Sequence, residues 1–200
     1  MMMSIQVTAR GSQHLGIAEA GKLLALAGSH SKALFHYREA IRLAIADRAP
    51  DVFFRHYTQC VLESLERTGS YPEVIEYCFR ADEYYLTFDH LNPFQRRDHG
   101  ATLERLGAVL VKSDRHPEAL PVLKRAVDTA GAGVLPLAET LISWLRRGLR
   151  PDVRRITELQ DRHRYFTVRP DLVDAALAIE LPASLQKATP LVPAPSTGRP

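Results

Sequence analysis

The apolar residues of this chain recur at helical spacing, in segments separated by short polar breaks. The clearest segment places four residues on one helix face at i, i+3, i+4 and i+7: Leu103, Leu106, Gly107 and Leu110. The polar stretch 112–116 ends this segment. Pro117 then suits the first turn of a second helix, because its missing N–H needs no partner there. No stretch shows a convincing strand pattern, so the sequence predicts an all-α protein.

A helix–turn–helix pattern occurs twice in the same register. Twelve positions separate Gly21 from Ala33, and twelve separate Gly107 from Ala119. Each is followed by a bulky residue and another alanine: Tyr37 with Ala40, and Leu123 with Ala126. Small residues allow two antiparallel helices to cross closely, whereas larger side chains would push them apart. The pattern therefore indicates repeated helical hairpins.

These hairpins resemble the tetratricopeptide repeat (TPR), a helix–turn–helix unit of about 34 residues. A weaker unit carries Val74 at the position of Ala33, and a degraded fourth unit carries Val153. The equivalent positions lie 41, 45 and 34 residues apart along the chain: Ala33, Val74, Ala119 and Val153. This spacing is similar to that of TPR variants with repeats of about 40 residues. The resemblance covers residues 14–165 and implies a TPR-like solenoid of three to four repeats.

The ends of the chain differ in composition from the repeats. Residues 1–13 are predicted to be a flexible N-terminus, and residues 14–181 a helical domain. Within that domain, residues 170–180 are expected to form a short helix that caps the last repeat, as open solenoids need. Residues 182–200 are rich in proline, serine and threonine, and such a tail is expected to be disordered.

The resemblance implies that the first helix of each pair lines a concave face that binds another protein. Seven residues fall at or beside the inward positions: Lys22, His56, Gln59, Glu63, Glu66, Glu104 and Arg105. The carboxylates at the centre of this face favour a basic or mixed peptide. A solvated helix surface is the alternative interpretation of the same residues. A receptor for the C-terminal carboxylate of chaperones is disfavoured, because the inward positions of the first two units hold no asparagine.

A second candidate surface is basic. Residues 146–169 contain eight arginines and three carboxylates, a local charge of +5, whereas the whole chain carries +3. Five of the arginines form the candidate surface: Arg146, Arg147, Arg150, Arg154 and Arg155. Such a patch can bind nucleic acid without sequence preference, but no nucleic-acid-binding motif accompanies it. An acidic protein partner is therefore favoured over nucleic acid at this surface.

Catalytic and metal-binding motifs are missing from the sequence. The eight histidines and two cysteines form no pattern with metal-ligand spacing. His56 and Cys60 are the one thiol–imidazole pair at i, i+4 spacing, and an ordinary helix position explains them better than a reactive thiol. Two cysteines are too few for a disulfide framework. The sequence therefore predicts a protein that is not an enzyme and needs neither a metal nor a cofactor.

These observations converge on an interaction module. The chain shows no signal-peptide pattern and no apolar stretch of about 20 residues, so a cytoplasmic protein without a membrane segment is expected. The predicted function is that of an adaptor or an assembly or scaffold factor, holding a peptide or helix of a partner protein in the concave groove. The alternative is a regulatory peptide sensor or nucleic-acid-associated factor that uses the arginine-rich surface. The sequence leaves the oligomeric state open.

Overall fold

In a computed structural model, the part of the chain that can be described is all-helical: the backbone of residues 3–182 and the side chains of residues 13–182. This part contains eight α-helices, two 3-10 turns and no strand. The helices are α1 (Met3–Leu26), α2 (His30–Ala46), α3 (Asp51–Arg67), α4 (Tyr71–Tyr85), α5 (Pro93–Lys112), α6 (His116–Ala130), α7 (Pro136–Arg146) and α8 (Val153–Arg162). The turns are Pro170–Leu172 and Ala175–Leu177. None of the helices in residues 3–182 combines the length and apolar character that crossing a membrane requires.

The chain divides into two compact units. Unit 1 contains residues 1–69 and 167–200, of which 3–69 and 167–182 are described, and unit 2 contains residues 70–166. The division falls between α3 and α4, within the second predicted repeat.

Unit 1 is built on α1, α2 and α3, with α2 packed against both of the others. Between α1 and α2, Gly28 adopts a φ of 75°, a left-handed conformation that glycine tolerates without steric cost. The sequence predicts this turn, and it also predicts the end of α2 near Ala46; the structure confirms both. The core of the unit includes Tyr37, Ala40 and Val61, all fully buried.

Unit 2 has α5 at its centre, in contact with α4, α6, α7 and α8. Helix α5 begins at a capping box in which the side chain of Asn92 accepts the Gln95 backbone N–H and the side chain of Gln95 accepts the Asn92 N–H. Helix α8 begins where Asp152 accepts the backbone N–H of Arg155. These caps fix where the two helices start.

Each unit contains a helical hairpin with the same close contact. A Cβ atom added at Gly21 would lie 2.8 Å from Cε1 of Tyr37, and one added at Gly107 would lie 2.5 Å from Cδ2 of Leu123. The sequence assigns the close crossing to Gly107 and Ala119. The structure adds that the bulky residue four positions after each alanine fills the space over the glycine. Both hairpins therefore depend on a residue without a side chain at this point.

Helix α1 begins at Met3, so it extends into the segment predicted to be flexible. Two other predicted elements are wrong in detail. Val153 is 43% exposed, whereas the three residues aligned with it are buried, so the predicted register of the fourth repeat is wrong and Ile156 fills the core there instead. The capping helix predicted over residues 170–180 is replaced by the two 3-10 turns and extended backbone. The predicted disordered tail lies outside the described residues, apart from Pro182.

The backbone N–H groups of this last segment explain why it is not an α-helix. Asp174 donates its N–H to Glu19, Ile179 donates to the carbonyl of Gly16, and both acceptors lie on α1. The side chain of Asp174 also accepts the N–H of Ala176 and so begins the second 3-10 turn. Tertiary and side-chain acceptors thus replace the helical carbonyls.

Candidate functional site

The predicted inner-face residues of α1 and α3 lie close together in unit 1. Lys22 forms a salt bridge to Glu19 of 2.7 Å, and both side chains are nearly buried. His56 is half-buried on α3, and its pKa is lowered by burial and by the neighbouring Lys22 ammonium group. Gln59 lies half-buried three residues further along α3. The structure therefore brings Lys22, His56 and Gln59 to one face of unit 1, and it adds Glu19, which the sequence analysis missed.

Glu63 lies next along the same face of α3 and is only 3% exposed. Its Oε2 accepts the backbone N–H groups of Thr167 and Val168, both at 2.9 Å. Its Oε1 accepts from the guanidinium group of Arg67 at 3.3 Å. The carboxylate is thus engaged by two backbone donors and one cation of its own chain.

The structure corrects the predicted setting of the three glutamates. Glu63, Glu66 and Glu104 are 3%, 1% and 8% exposed, so they are neither open groove residues nor solvated helix surface. The sequence could not show this, because glutamate is almost never fully buried unless it is paired. In this conformation none of the three carboxylates is available to the charge of a partner.

The segment that covers this face of unit 1 is the chain's own residues 167–182, called the C-terminal strap below. The strap begins at Glu63 on α3 and continues to Glu19 on α1, whose Oε2 accepts the Asp174 N–H at 2.9 Å. It then reaches the carbonyl of Gly16, which accepts the Ile179 N–H at 2.9 Å. The strap therefore lies across the predicted partner-binding helices as an extended polypeptide.

The strap ends beside α2. There the N–H of Leu181 points at Nε2 of His36 at 3.4 Å. With Nδ1 3.0 Å from the carbonyl of Lys32, a neutral His36 accepts this N–H at Nε2, whereas a protonated His36 pairs with the strap's Glu180, whose Oε2 lies 3.5 Å from Nε2. The side chain of Ile179 lies directly over Gly16, where an added Cβ would be 2.5 Å from its Cδ1. Gly16 thus makes room for the strap, as Gly21 makes room for α2.

Unit 2 uses its predicted inner-face residues differently. Oε1 of Glu104 accepts the backbone N–H of Ala138, in the first turn of α7, at 2.9 Å. Burial raises the pKa of Glu104 to about 7, although the hydrogen bond from Ala138 and the charge of Arg105 oppose the rise. Arg105 is itself buried, and its guanidinium group lies 5.1 Å from the centre of the Tyr165 ring. Both residues are therefore engaged within unit 2.

The predicted basic surface is exposed over the end of α7 and the start of α8. Arg154 pairs with Glu158 at 2.9 Å, and Arg155 lies over the Trp144 ring at 4.7 Å from its centre. The side chains of Arg146, Arg147 and Arg150 are exposed and form no ion pair within residues 13–182. Three unpaired guanidinium groups thus remain open to an acidic ligand.

The histidine, cysteine and acidic side chains come together at few places in the described residues. No group of three His, Cys, Asp or Glu side chains within residues 13–182 is placed to hold a metal ion. His56 Nε2 lies 4.0 Å from Sγ of Cys60, and both cysteines are free thiols in buried positions. The sequence analysis missed one buried pair, Asp82 with His99 at 2.7 Å.

This Asp82–His99 pair has a structural explanation. Asp82 also accepts two hydrogen bonds from Arg125, at 2.8 and 3.0 Å. The pair ties α4 to α5, and Arg125 adds α6, so the three groups join three helices of unit 2. Asp98, the sequence neighbour of His99, instead accepts from Tyr85.

Comparisons with known proteins add no identification. No protein-family model, no curated protein and no solved structure matches the chain.

Proposed function

We propose that the chain is an assembly of TPR-like hairpins that acts as an adaptor or scaffold, holding a segment of a partner protein against the inner faces of its helices. The single observation that carries this proposal is the matched hairpin packing in the two units. Tyr37 packs over Gly21 and Leu123 packs over Gly107 at equal spacing along the chain. Repetition of one close contact in register supports a repeat architecture, and such repeats use their inner faces for protein binding.

A second candidate function is carried by the basic surface. The exposed and unpaired side chains of Arg146, Arg147 and Arg150 favour an acidic partner there, either a protein or a nucleic acid. Binding at this surface would weaken steeply as the salt concentration rises, because it would release bound counterions. Binding at the inner face of unit 1 would depend much less on salt.

The experiment is an affinity capture from native lysate with four forms of the full chain. The first is the wild type, and the second carries His56→Ala with Gln59→Ala on the inner face. The third carries Arg146→Glu, Arg147→Glu and Arg150→Glu. The buried glutamates are left intact, because removing a buried charged partner would destabilise the protein and confound the binding result.

The fourth form is the matched control for the basic surface. It carries Arg96→Glu, Arg97→Glu and Lys124→Glu, three exposed positions of unit 2 away from α7 and α8. Its net charge changes by the same amount as that of the third form. Circular dichroism verifies that all four forms are folded.

The outcomes separate the two candidates. A partner lost only from the inner-face form supports the adaptor. A partner lost from the Arg146 form and kept by its charge-matched control supports the basic surface and contradicts an adaptor acting through the inner face. Equal retention by all four forms contradicts both.

A further inference from the structure

We propose that the face of unit 1 beneath the C-terminal strap is a binding site for extended polypeptide, and that the strap is a resident ligand which a partner segment replaces. This inference rests on the proposed function, since it names where the partner binds and what chemistry selects it. The site is formed by α1, α2 and α3, and its recognition groups are the carboxylates of Glu19 and Glu63, the carbonyl of Gly16 and the imidazole of His36.

The first argument is that the polar groups of the site bind the backbone of the strap. Five strap N–H groups reach acceptors on the three helices, and two of them share Oε2 of Glu63. Hydrogen bonds to an ionised acceptor are the stronger class. Every amino acid except proline presents an N–H, so many sequences meet the same requirement.

The second argument is that the strap buries few of its large apolar side chains. Val168 and Leu181 are buried, whereas Leu172 and Leu177 are 53% and 54% exposed. A segment that belonged to the permanent core would bury its large apolar residues. The strap buries only two of its six large apolar side chains, so its removal from unit 1 costs less apolar burial than removal of a packed helix would.

The third argument is that the site keeps its own geometry. Glu19 is held by the salt bridge to Lys22, and Glu63 is held by Arg67 on the same helix. Each acceptor thus has a cationic partner on its own helix as well as the strap. A preformed site of this kind can accept a second segment with little rearrangement.

These contacts define the ligand class. The partner segment is extended and non-helical, with two consecutive N–H donors for Glu63 and a third donor for Glu19. It carries no proline at those positions. An aliphatic residue at the place of Ile179 packs over Gly16, where a Cβ would have no room.

Because the strap is covalently part of the chain, it competes with any free peptide for the site. A tethered segment faces its site at an effective concentration on the order of millimolar when the linker is short and flexible. A free peptide therefore binds the wild type weakly, even if its intrinsic affinity for the site equals that of the strap. Weakening the strap within the full chain exposes the same site to the free peptide.

The test measures fluorescence anisotropy of a labelled peptide copying residues 167–182, titrated with the full chain. One protein is the wild type, and the other carries Val168→Pro and Ile179→Ala, which remove a donor to Glu63 and the side chain over Gly16. We expect the variant to bind the peptide about tenfold more tightly than the wild type, the factor that the loss of one charge-assisted hydrogen bond supplies. If the double variant does not fold, Ile179→Ala alone gives the same comparison with a smaller gain.

Matched controls use the protein and the peptide. Leu172→Ala removes an exposed strap side chain and should leave peptide binding at the wild-type level. On the peptide, N-methylation at Val168 should weaken binding to the variant about tenfold. N-methylation at Val173, whose N–H donates to no group of α1, α2 or α3, should leave binding unchanged.

Two results would overturn the inference. One is equal peptide binding by the wild type and the strap variant. The other is an equal loss of peptide affinity on N-methylation at Val168 and at Val173, which would mean that the site does not recognise specific backbone donors. Failure of the proposed function gives a different result. In that case the peptide binds the variant as expected, but the wild type and the strap variant capture no protein from lysate.

The opposite result is a captured partner that an excess of strap peptide does not displace. It would contradict this inference and leave the proposed adaptor function unaffected.

Discussion

Two buried glutamates at predicted inner-face positions each accept backbone N–H groups from a later segment of the chain, but the two segments differ in structure. In unit 1, Glu63 accepts two N–H groups of the C-terminal strap. In unit 2, Glu104 accepts the N–H of Ala138 at the beginning of α7. Each therefore anchors a segment that follows it in the chain. The segment is a regular helix in unit 2 and an extended strap in unit 1.

The difference indicates on which of the two inner faces the bound segment of the chain can be replaced by another segment. Helix α7 buries Leu137, Ala138 and Leu141 against its neighbours, so its position is fixed by apolar packing. The strap donates five backbone hydrogen bonds to α1, α2 and α3, and Val168 and Leu181 are the two of its six large apolar side chains that are buried. A helix with a buried apolar face is a permanent element, whereas a strap of this kind can be replaced.

The largest expected effect comes from removing the anchor of the strap. Glu63→Ala leaves the Thr167 and Val168 N–H groups without an acceptor and Arg67 without its carboxylate. We expect the free energy of unfolding to fall by about 3 kcal/mol, measured by urea denaturation with circular dichroism. Hydrogen exchange of both amides should accelerate.

A control for this change is Glu158→Ala, which breaks an exposed pair with Arg154. Exposed pairs contribute less than about 1 kcal/mol, so this variant should stay close to the wild type. Similar losses in the two variants would show that Glu63 is not an anchor.

The second prediction concerns pH and unit 2. The folded pKa of Glu104, about 7, lies above the ordinary value of 4.5, so the folded chain binds more protons than the unfolded chain between these values. The free energy of unfolding therefore falls as the pH rises from about 4.5 to about 7. Glu104→Gln keeps an oxygen acceptor for Ala138 but carries no charge. We expect this variant to be more stable than the wild type at pH 8 by roughly 1–3 kcal/mol.

The measurement is urea denaturation at pH 5 and pH 8, followed by the fluorescence of Trp144, the one tryptophan of the chain, on α7. The difference between the two proteins should shrink at pH 5. A wild type and variant with the same pH dependence would show that Glu104 titrates normally.

The parts of the structure that the sequence predicted depend on local signals. The glycine turn at Gly28, the end of α2 at Ala46 and the start of the helix around Pro117 follow from residues within one turn of each boundary. The capping box of Asn92 and Gln95 is a signal of the same kind that the sequence analysis overlooked. Helix boundaries and the register of the two hairpins that contain Gly21 and Gly107 could therefore be predicted from the sequence.

The position of the strap could not be predicted from the sequence, because its hydrogen-bond partners are distant in the chain. Glu63 and Thr167 are 104 residues apart, and Glu19 and Asp174 are 155 apart. The apolar pattern of residues 170–180 favoured a helix, and tertiary acceptors overrode it. The helical pattern also could not show that Glu63 is buried. It assigns a residue to one face of a helix, but it does not show which other segment packs on that face.

The third prediction tests what the two units share. Gly21→Ala and Gly107→Ala each place a methyl group against Tyr37 or Leu123, at 2.8 and 2.5 Å. Overpacking costs about 1–3 kcal/mol, against a gain of about 1 kcal/mol in helix propensity. We therefore expect each variant to lose about 1–2 kcal/mol in urea denaturation. In a Leu123→Ala background, Gly107→Ala should instead be neutral or stabilising, because the methyl group then has room.

The smallest expected effect on stability is that of Ile179→Ala, and its hydrogen exchange distinguishes the inner face of unit 1 from that of unit 2. Ile179→Ala removes the side chain that lies over Gly16, at a position that is 42% exposed, so the free energy of unfolding should fall by about 1 kcal/mol or less. Hydrogen exchange should nevertheless accelerate at the amides of Asp174 and Ile179, because the strap opens without global unfolding. The Ala138 amide, held by Glu104 in a packed helix, should keep its protection. Faster exchange at Ala138 as well would mean that the strap opens only with the whole molecule, and the contrast between the replaceable strap and the permanent helix would then fail.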